Sequence, residues 1–295
     1  MLSTKEDLHQ KVCVVTVTCY PNLSDIRFQL ALDLCQLASQ LKITLWIVDN
    51  SPNHAIVRDK FIAAGKVEGG LASNDDGFIH VERQDTTHYA GKGGAIRQGI
   101  KSASSWLDTQ TISTATLFSP PTTTSTAIMY MEPEKVDLLN HIHHIVEPIL
   151  SGNYDVVVPT RNEELFHTTY PKEQFHSEMF GNMHFNNLAK QVAGFQGGWG
   201  EKPTKLDWLF GPFAFHTRHS DSWLNYTGTS WDAQMIPYVR GVKNQYWKII
   251  SVTVDFCHPK VMKEQEEGDP VFTSKRLGQL NLLFDVLGTN ELSHK

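Results

Sequence analysis

Two short, almost continuously apolar runs near the start of the chain limit its fold more than any other feature. Residues 12–18 and 43–48 are rich in β-branched side chains, and turn-forming residues follow each run. Such runs are typical of strands that are covered on both faces of a sheet. Between them, residues 26–41 carry apolar side chains at helical spacing. The pattern therefore predicts a βαβ unit with parallel strands.

The alternation of strands and helices continues along the chain, which predicts an α/β fold with a doubly wound parallel sheet. Residues 108–125 are rich in Thr, Ser and Pro and are interpreted as a surface insertion. Further strands are expected at residues 78–81, 126–131, 154–159 and 249–256, and further helices at 55–64, from the glycine-rich stretch to about 106, and at 136–150, 174–192 and 275–287.

The composition is that of a soluble globular protein. With 26 Lys and Arg against 32 Asp and Glu, the net charge of −6 argues against a nucleic-acid or anionic membrane surface. Residues 1–10 lack the apolar core of a signal peptide, and no apolar run is long enough to span a bilayer. Four scattered cysteines fit reduced thiols better than a disulfide framework or a zinc site. We therefore expect a cytoplasmic protein, whose oligomeric state the sequence leaves open.

A glycine-rich stretch at residues 90–99 is the first candidate binding site. Three glycines in four positions let the backbone approach another group closely, with φ values that other residues avoid. Lys92 and Arg97 place two cations beside this backbone, at the expected start of a helix. Exposed amides, a helix start and positive charge suit a phosphate or diphosphate. The alternative is a surface turn with incidental basic residues.

Three polar signals are expected at one edge of the sheet. Asp49 ends the second strand, the glycine-rich stretch follows the third, and Glu132 and Glu134 end the fourth. Because ligands of open α/β sheets bind at the carboxyl ends of the strands, these groups together indicate a nucleotide diphosphate site.

The order of these pieces resembles the GT-A glycosyltransferases, especially glycosyltransferase family 2 and its branch similar to dolichyl-phosphate hexosyltransferases. The resemblance runs from about residue 11 to residue 260 and implies a mostly parallel, Rossmann-like GT-A sheet flanked by helices in a single large domain. It implies a polar tail at residues 1–10, a nucleotide-sugar half at 11–135 and an acceptor half at 136–295. The matching residues are 14–20, 47–51, 91–99, 155–161 and an acidic, glycine-containing segment at 207–215.

The resemblance implies transfer of a hexose from a UDP- or GDP-sugar, with inversion, to a small-molecule or glycan acceptor that the sequence does not identify. Asp49 would bond the base or ribose, and Tyr20 and Pro21 would lie against the base. The alternatives are a strand-end cap at Asp49 and ordinary salt bridges or surface positions for the arginines. The residues implied at the diphosphate are Gly91, Lys92, Gly93, Arg97 and Arg161.

The metal position departs from the Asp-x-Asp pattern of the family. Here it reads Glu132, Pro133, Glu134, Lys135, in which both carboxylates can reach Mg²⁺ or Mn²⁺. The resemblance adds His258, the counterpart of a late histidine near the metal or diphosphate. Lys135 competes with a metal, so metal dependence stays open and Lys135 is itself a candidate for neutralising the leaving diphosphate. Alternatively, Pro133 and Glu134 only begin the next helix.

Asp207 and Asp232 are the candidate bases for an acceptor hydroxyl. Each lies beside a tryptophan, Trp208 or Trp231, and desolvation there would raise the pKa of the carboxylate. A structural, hydrogen-bonding aspartate is the alternative for both.

Two other functions remain beside a metal-assisted glycosyltransferase. A sugar nucleotidyltransferase shares the layout, but it needs a glycine-rich signature after the first strand, where this chain has Tyr20, Pro21 and Asn22. A catalytically degenerate, GT-A-like protein that binds a nucleotide or a partner would explain the altered metal motif.

Overall fold

The first part of the chain alternates strands with helices, as the apolar pattern predicts. The structure is a computed structural model that describes residues 8–66, 77–114, 125–191, 205–245, 247–260, 262–263 and 269–288. Its first elements are α1 (Leu8–Lys11), β1 (Val12–Thr18), α2 (Ile26–Gln40), β2 (Thr44–Asp49), α3 (His54–Ala64), β3 (Ile79–Arg83), α4 (Gly91–Thr114) and β4 (Ala127–Tyr130).

The remaining elements pair three more strands with helices. A 3₁₀ helix (Val136–His141) leads directly into α5, and a second one (Thr217–His219) leads into α8. The elements are α5 (Ile142–Leu150), β5 (Val156–Arg161), α6 (Glu163–Thr169), α7 (Lys172–Ala189), β6 (Phe213–His216), α8 (Ser220–Leu224), α9 (Asp232–Gln245), β7 (Ile249–Val254) and α10 (Pro270–Gly288).

These strands form one sheet in the order β3-β2-β1-β4-β6-β5-β7. Strands β3, β2, β1 and β4 pair in parallel, as do β5 and β7. Strand β6 runs antiparallel to both β4 and β5. The prediction of a mostly parallel α/β sheet is confirmed, whereas a wholly parallel sheet is wrong because of β6.

Strand β6 escapes the sequence pattern because it is short. Its four residues read Phe-Ala-Phe-His, too few to show an alternation of period two. It also lies in a segment dense in aromatic side chains, where core packing hides any strand signal. The strand closes the gap between β4 and β5 and so carries the segment at 207–212 to the carboxyl edge of the sheet.

Three predicted boundaries need correction. Helix α4 begins at Gly91 and continues to Thr114, so the insertion predicted at 108–125 is wrong for residues 108–114, while residues 115–124 lie outside the described chain. Thr and Ser are only weakly unfavourable in a helix, and buried Leu107 anchors this part of α4. The single helix predicted at 136–150 is instead a 3₁₀ helix followed by α5. Leu8, in the predicted polar tail, is buried in helix α1.

The sheet separates two layers of apolar core. Val14 of β1 packs in the layer that contains α2, α3 and α5, whereas Val15 packs in the layer that contains α4, α8 and α9. Successive strand side chains point to opposite faces, so helices on both faces require apolar residues at every position. This arrangement explains the near-continuous apolar runs of the sequence.

Every helix in the described part of the chain is too short or too polar to cross a bilayer. All four cysteines are free: Cys13 and Cys35 are buried, while Cys19 and Cys257 are exposed.

Candidate functional site

Two cavities lie at the carboxyl edge of the sheet and share three residues. The strand-end cavity, of about 350 Å³, lies between the ends of β1 and β2, the start of α4 and the turn after β4. The aromatic cavity, of about 160 Å³, lies on the other side of that turn. Lys92, Glu132 and Glu134 line both cavities, and we name these three residues the junction. The aromatic cavity takes its name from Trp208, Phe210, Trp231 and Tyr238.

Both carboxylate oxygens of Glu132 are engaged by the protein. Its Oε2 accepts a hydrogen bond from Lys135 Nζ at 3.0 Å, and its Oε1 accepts one from Gln234 Nε2 at 2.7 Å. Lys92 Nζ lies 3.5 Å from Oε1. Burial alone would raise the pKa of Glu132, but Lys135 and Lys92 hold that pKa well below its usual range. The protein therefore already balances the charge of Glu132.

Glu134 and His258 keep ligand atoms available. Within the described chain, Glu134 has no hydrogen-bond or ion-pair partner, and it lines both cavities. His258 lines the aromatic cavity, and its buried Nδ1 finds no hydrogen-bond partner among the described residues. Burial, followed by the charges of Lys263 and Lys135, lowers the pKa of His258 to about 2. The imidazole is therefore neutral near pH 7 and is able to coordinate a metal ion.

Glu134 of the junction and the neighbouring cavity residue His258 fit a divalent cation whose coordination a bound substrate would complete. Across the described residues, no three His, Cys, Asp or Glu side chains lie close enough to hold an ion by themselves. Glu134 and His258 offer one oxygen ligand and one nitrogen ligand, whereas the donors around Glu132 occupy that carboxylate. Mg²⁺ is usually held by one or two carboxylates together with substrate phosphates and water. A diphosphate would thus complete the coordination that the protein begins.

The glycine-rich stretch packs closely against the loop at residues 228–230. A Cβ at Gly91 would overlap the Thr229 carbonyl, and a Cβ at Gly93 would overlap the Gly228 carbonyl. Gly91 also has a φ of +66°, which disfavours any side chain. The Gly93 amide donates to Thr229 O at 3.0 Å. These glycines are therefore required by contacts within the chain.

Only part of the predicted diphosphate cradle faces a cavity. Arg97 is buried and donates to the Gly228 carbonyl, so its charge is turned toward the loop. Gly93 and Arg97 line neither cavity, so their contact with a diphosphate stays a prediction without support from the cavities. Gly91 lines the strand-end cavity, and Lys92 lines both. Lys92 is thus the residue of this stretch that presents a positive charge to the site.

Asp49 holds the end of β2 together. It has no exposed surface, and its Oδ1 accepts hydrogen bonds from Thr18 Oγ1 at 2.8 Å and from Ser51 Oγ at 2.6 Å. His54 Nδ1 lies 2.9 Å from the other carboxylate oxygen. Asn50, rather than Asp49, lines the strand-end cavity. These bonds favour the alternative of a strand-end cap, and the contact of Asp49 with a base or ribose stays a prediction.

Tyr20 lines the strand-end cavity, but its ring belongs to the core. It meets Phe28 and Phe61 edge-on, at centroid distances of 5.3 and 6.4 Å. Its hydroxyl oxygen is buried and has no hydrogen-bond partner in the described chain. The ring of Tyr20 is therefore not free to stack on a base, and its contact with a base stays a prediction. Pro21 is exposed and does not line the cavity, so its contact with a base also stays a prediction.

Arg161 and Asp207 form a buried ion pair beside the aromatic cavity. Arg161 Nε and Nη2 donate to the two Asp207 oxygens at 2.7 and 2.8 Å, and Nη2 lies 2.8 Å from Glu178 Oε2. The guanidinium group stacks on Phe166, 3.6 Å from its ring centre. Arg161 is 2% exposed and lines neither cavity of the site. The structure therefore favours the alternative of a salt bridge for Arg161, and its contact with a phosphate stays a prediction.

The surroundings of the two candidate bases differ from the prediction. Burial would raise the pKa of Asp207, but the charge and hydrogen bonds of Arg161 and a bond from Asn182 lower it. The predicted rise in this pKa is wrong. Asp232 accepts hydrogen bonds from the Tyr226 hydroxyl and from Ser230 N, and it lines neither cavity. Both aspartates bond groups of the protein itself.

Sequence reasoning missed several polar residues that line the cavities, among them Gln84, Gln234 and Arg27. Gln84 directly follows β3 and donates to Gly91 O at 2.8 Å, so the strand-end rule that selected Asp49 would have found it. Gln234 is a buried polar side chain on the apolar face of α9, which is a recognisable signal. Arg27 lies in the first turn of α2 and carries no comparable signal.

Comparisons based on sequence and on structure give different results. No protein-family model matches the sequence, and no curated protein matches it. Crystal structures of glucosyl-3-phosphoglycerate synthase from Mycobacterium tuberculosis match the fold. The complex with Mn²⁺, UDP and glucosyl-3-phosphoglycerate has a TM-score of 0.54 and 11% identity, over 99% of this chain and 87% of that one.

Two further structures of the same synthase agree. The complex with Mn²⁺, UDP-glucose and phosphoglyceric acid has a TM-score of 0.55 and 12% identity, over 98% of this chain and 86% of that one. A third structure has a TM-score of 0.55 and 11% identity, over 98% and 87% of the two chains. At such identities the likeness establishes the fold, which is the GT-A fold. The narrower resemblance to family 2 stays a prediction.

Proposed function

We propose that this protein is a glycosyltransferase that transfers a hexose from a UDP- or GDP-sugar to an acceptor bound in the aromatic cavity. The observation that carries the proposal is the junction, where a lysine and two glutamates separate two cavities at the carboxyl edge of the sheet. The strand-end cavity would hold the nucleoside, the junction the diphosphate, and the aromatic cavity the sugar and acceptor. The synthase that shares the fold was crystallised with UDP and Mn²⁺, which supports this arrangement.

Each part of the site has residues suited to its role. In the strand-end cavity, the polar side chains of Asn50 and Gln84 can bond a nucleoside, and Tyr20 lies in the wall beside them. At the junction, Lys92 can neutralise a diphosphate as it leaves, which is the main electrostatic demand of glycosyl transfer. Aromatic walls such as those of the other cavity are suited to packing against a sugar ring.

Glu134 and His258 would hold a divalent cation, Mg²⁺ or Mn²⁺, together with the diphosphate. When bound, the cation supplies positive charge to the departing diphosphate. Glu134 is the carboxylate of the pair that has no hydrogen-bond or ion-pair partner in the described chain, and His258 presents a neutral ring in the lining of the same aromatic cavity. The metal role predicted for Glu132 is weaker, because its oxygens already accept bonds from Lys135 and Gln234.

Inversion, which the family 2 resemblance implies, needs a base beside the acceptor hydroxyl. Asp207 lines the aromatic cavity, but its oxygens accept bonds from Arg161 and Asn182. We therefore assign Asp207 to holding the wall of the cavity. The anomeric configuration of the product, read by proton NMR, tests the proposed inversion.

A nucleotide-binding protein without transferase activity is the second candidate. The observation in its favour is that both candidate bases bond groups within the chain. Turnover separates it from the first candidate.

The test measures release of UDP or GDP from a panel of UDP- and GDP-hexoses in Mn²⁺, with phosphoglycerate and simple sugars as acceptors. We expect release with at least one donor, and its loss in Lys92→Met and Glu134→Gln. The matched control is Glu147→Gln, an exposed glutamate on α5 that lines neither cavity. Binding of UDP or GDP without turnover would favour the second candidate. Absence of binding would reject both.

A further inference from the structure

We propose that Lys135 is a resident cation of the donor site, which allows a nucleoside diphosphate to bind without a divalent metal ion. In this arrangement Glu132 is the counterion of Lys135 and not a metal ligand. The inference rests on the proposed function, since it assigns the charges of the same site.

A tight turn brings Lys135 back onto Glu132. The Lys135 amide donates to Glu132 O at 3.1 Å, and the side chain returns so that Nζ lies 3.0 Å from Glu132 Oε2. The ammonium group lies 5.5 Å from the centre of the Phe210 ring on one side and lines the aromatic cavity on the other. Its side chain is only 9% exposed, so the charge is held in one place.

The surroundings of Glu132 leave little room for a metal ion. Gln234 Nε2 and Lys92 Nζ occupy Oε1, while Lys135 occupies Oε2. The backbone of Gly211 closes over the carboxylate, because a Cβ at that residue would lie 2.7 Å from Oε1. Coordination by Glu132 would separate it from the buried ammonium group of Lys135. Separating a buried ion pair in this way is strongly unfavourable.

The formal charges of Lys135 and the three junction residues balance. Lys92 and Lys135 supply two positive charges, and Glu132 and Glu134 supply two negative charges. Further cations line the cavities on either side, namely Arg27 in the strand-end cavity and Lys263, Lys275 and Arg276 in the aromatic cavity. Without Lys135 the junction itself would carry one net negative charge, whereas with Lys135 it adds no net repulsion to a diphosphate. A metal ion at Glu134 and His258 then adds to binding but is not required for it.

Isothermal titration calorimetry with UDP and GDP, in EDTA and again in excess Mn²⁺, tests the proposal on the full chain. We expect the wild type to bind in EDTA, with Mn²⁺ tightening the affinity by less than about tenfold. Lys135→Gln should weaken binding in EDTA by about 10- to 100-fold, the scale of a hydrogen bond to a charged group. Lys135→Arg should retain most of the affinity. The matched control Lys101→Gln removes an exposed charge outside both cavities and should change nothing.

Glu132→Gln separates a counterion from a metal ligand, because the two roles predict opposite effects on nucleotide binding. It removes the counterion, so binding in EDTA should stay equal or become tighter, and the effect of Mn²⁺ should persist. Loss of the Mn²⁺ effect in Glu132→Gln would overturn the proposal, as would a wild type that binds only in Mn²⁺. Equal affinities of Lys135→Gln and wild type in EDTA would also overturn it.

Failure of this inference is distinguishable from failure of the proposed function. UDP or GDP binding that needs Mn²⁺ rejects the resident cation alone, whereas no binding in either medium rejects the donor site itself. Circular dichroism and thermal unfolding show whether each variant folds. If Lys135→Gln does not fold, the response of Glu132→Gln decides.

Discussion

Replacing Asp207 with Asn separates two roles that this residue could have. A catalytic base would lose its function while the fold remained stable. A carboxylate that holds the buried Arg161 would instead be needed for stability. The structure favours the second role, because Arg161 donates two hydrogen bonds to Asp207 and has a 2% exposed side chain.

The loss of unfolding free energy in Asp207→Asn depends on the ion pair that Arg161 keeps with Glu178. Removing one member of a buried ion pair costs about 3–5 kcal/mol. Glu178 Oε2 still lies 2.8 Å from Arg161, so we expect the lower end, about 3 kcal/mol. An unfolding entropy of about 2.1 cal/mol/K per residue gives about 0.6 kcal/mol/K for 295 residues. The melting temperature should therefore fall by about 5 °C.

The dependence on pH gives a second readout. Arg161 holds the pKa of Asp207 below that of the unfolded chain, so the stabilisation is present above about pH 4. It is lost as the pH falls through the pKa of the folded protein. Asp207→Asn should therefore unfold with a weaker pH dependence below about pH 4 than the wild type.

Urea unfolding at pH 7, with thermal unfolding from pH 3 to pH 7, measures both effects. The matched control is Asp59→Asn, because Asp59 is 70% exposed and pairs with Arg58 at the surface. Such a surface pair contributes at most about 1 kcal/mol. The reasoning is refuted if Asp207→Asn is as stable as Asp59→Asn while its glycosyl transfer is abolished, since that result identifies a base.

Three more expectations follow from the site. Gly91→Ala should destabilise the fold by about 1–3 kcal/mol in urea unfolding, because Gly91 has a positive φ and a Cβ there would overlap the Thr229 carbonyl. Gly278→Ala is the control: it has open space around it and should stabilise the fold by about 0.5–1 kcal/mol. Equal effects of the two substitutions would contradict this reasoning. Asp49→Asn should lower stability by about 1–3 kcal/mol yet leave the UDP affinity from calorimetry unchanged, and a tenfold weaker affinity would restore its predicted contact with the nucleoside. The low pKa of His258 means that the unfolded chain gains a proton below about pH 6.5 and the folded chain does not, so the metal-free protein should lose stability from there downward. In thermal unfolding at pH 5 and pH 7, His258→Phe should lose part of this dependence, and an unchanged dependence would count against the buried neutral ring.

Local patterns in the sequence were enough to predict the first half of the fold. Strands β1 and β2 are buried on both faces, so their apolar runs are continuous and their ends are sharp. The strand-end rule then selected the turn after β4, where Glu132 and Glu134 line both cavities and Lys135 lines the aromatic cavity. These residues lie within a few positions of a strand end, and their placement follows from the strand alone.

The surroundings of residues whose partners are distant in sequence could not be predicted. The arginine at the end of β5 seemed available to a phosphate, but α7 supplies Glu178 and the segment before β6 supplies Asp207 as its partners. The tryptophan beside Asp207 indicated only desolvation, which raises a carboxylate pKa. The opposing charge of Arg161 comes from 46 positions away and reverses the direction. A single sequence contains no signal for such a pairing.

The glycine-rich stretch acts on the junction through the loop that it holds. Gly93 N and Arg97 fix the carbonyl groups of Thr229 and Gly228, and helix α9 begins shortly after that loop. The first turn of α9 carries Gln234, which donates to Glu132 Oε1 at 2.7 Å. The same stretch also sends Lys92 directly toward that carboxylate oxygen. Close packing of the glycines therefore positions Gln234 and Lys92, two of the three donors around Glu132. The positions of these donors in turn determine the charge that a diphosphate would meet at the junction.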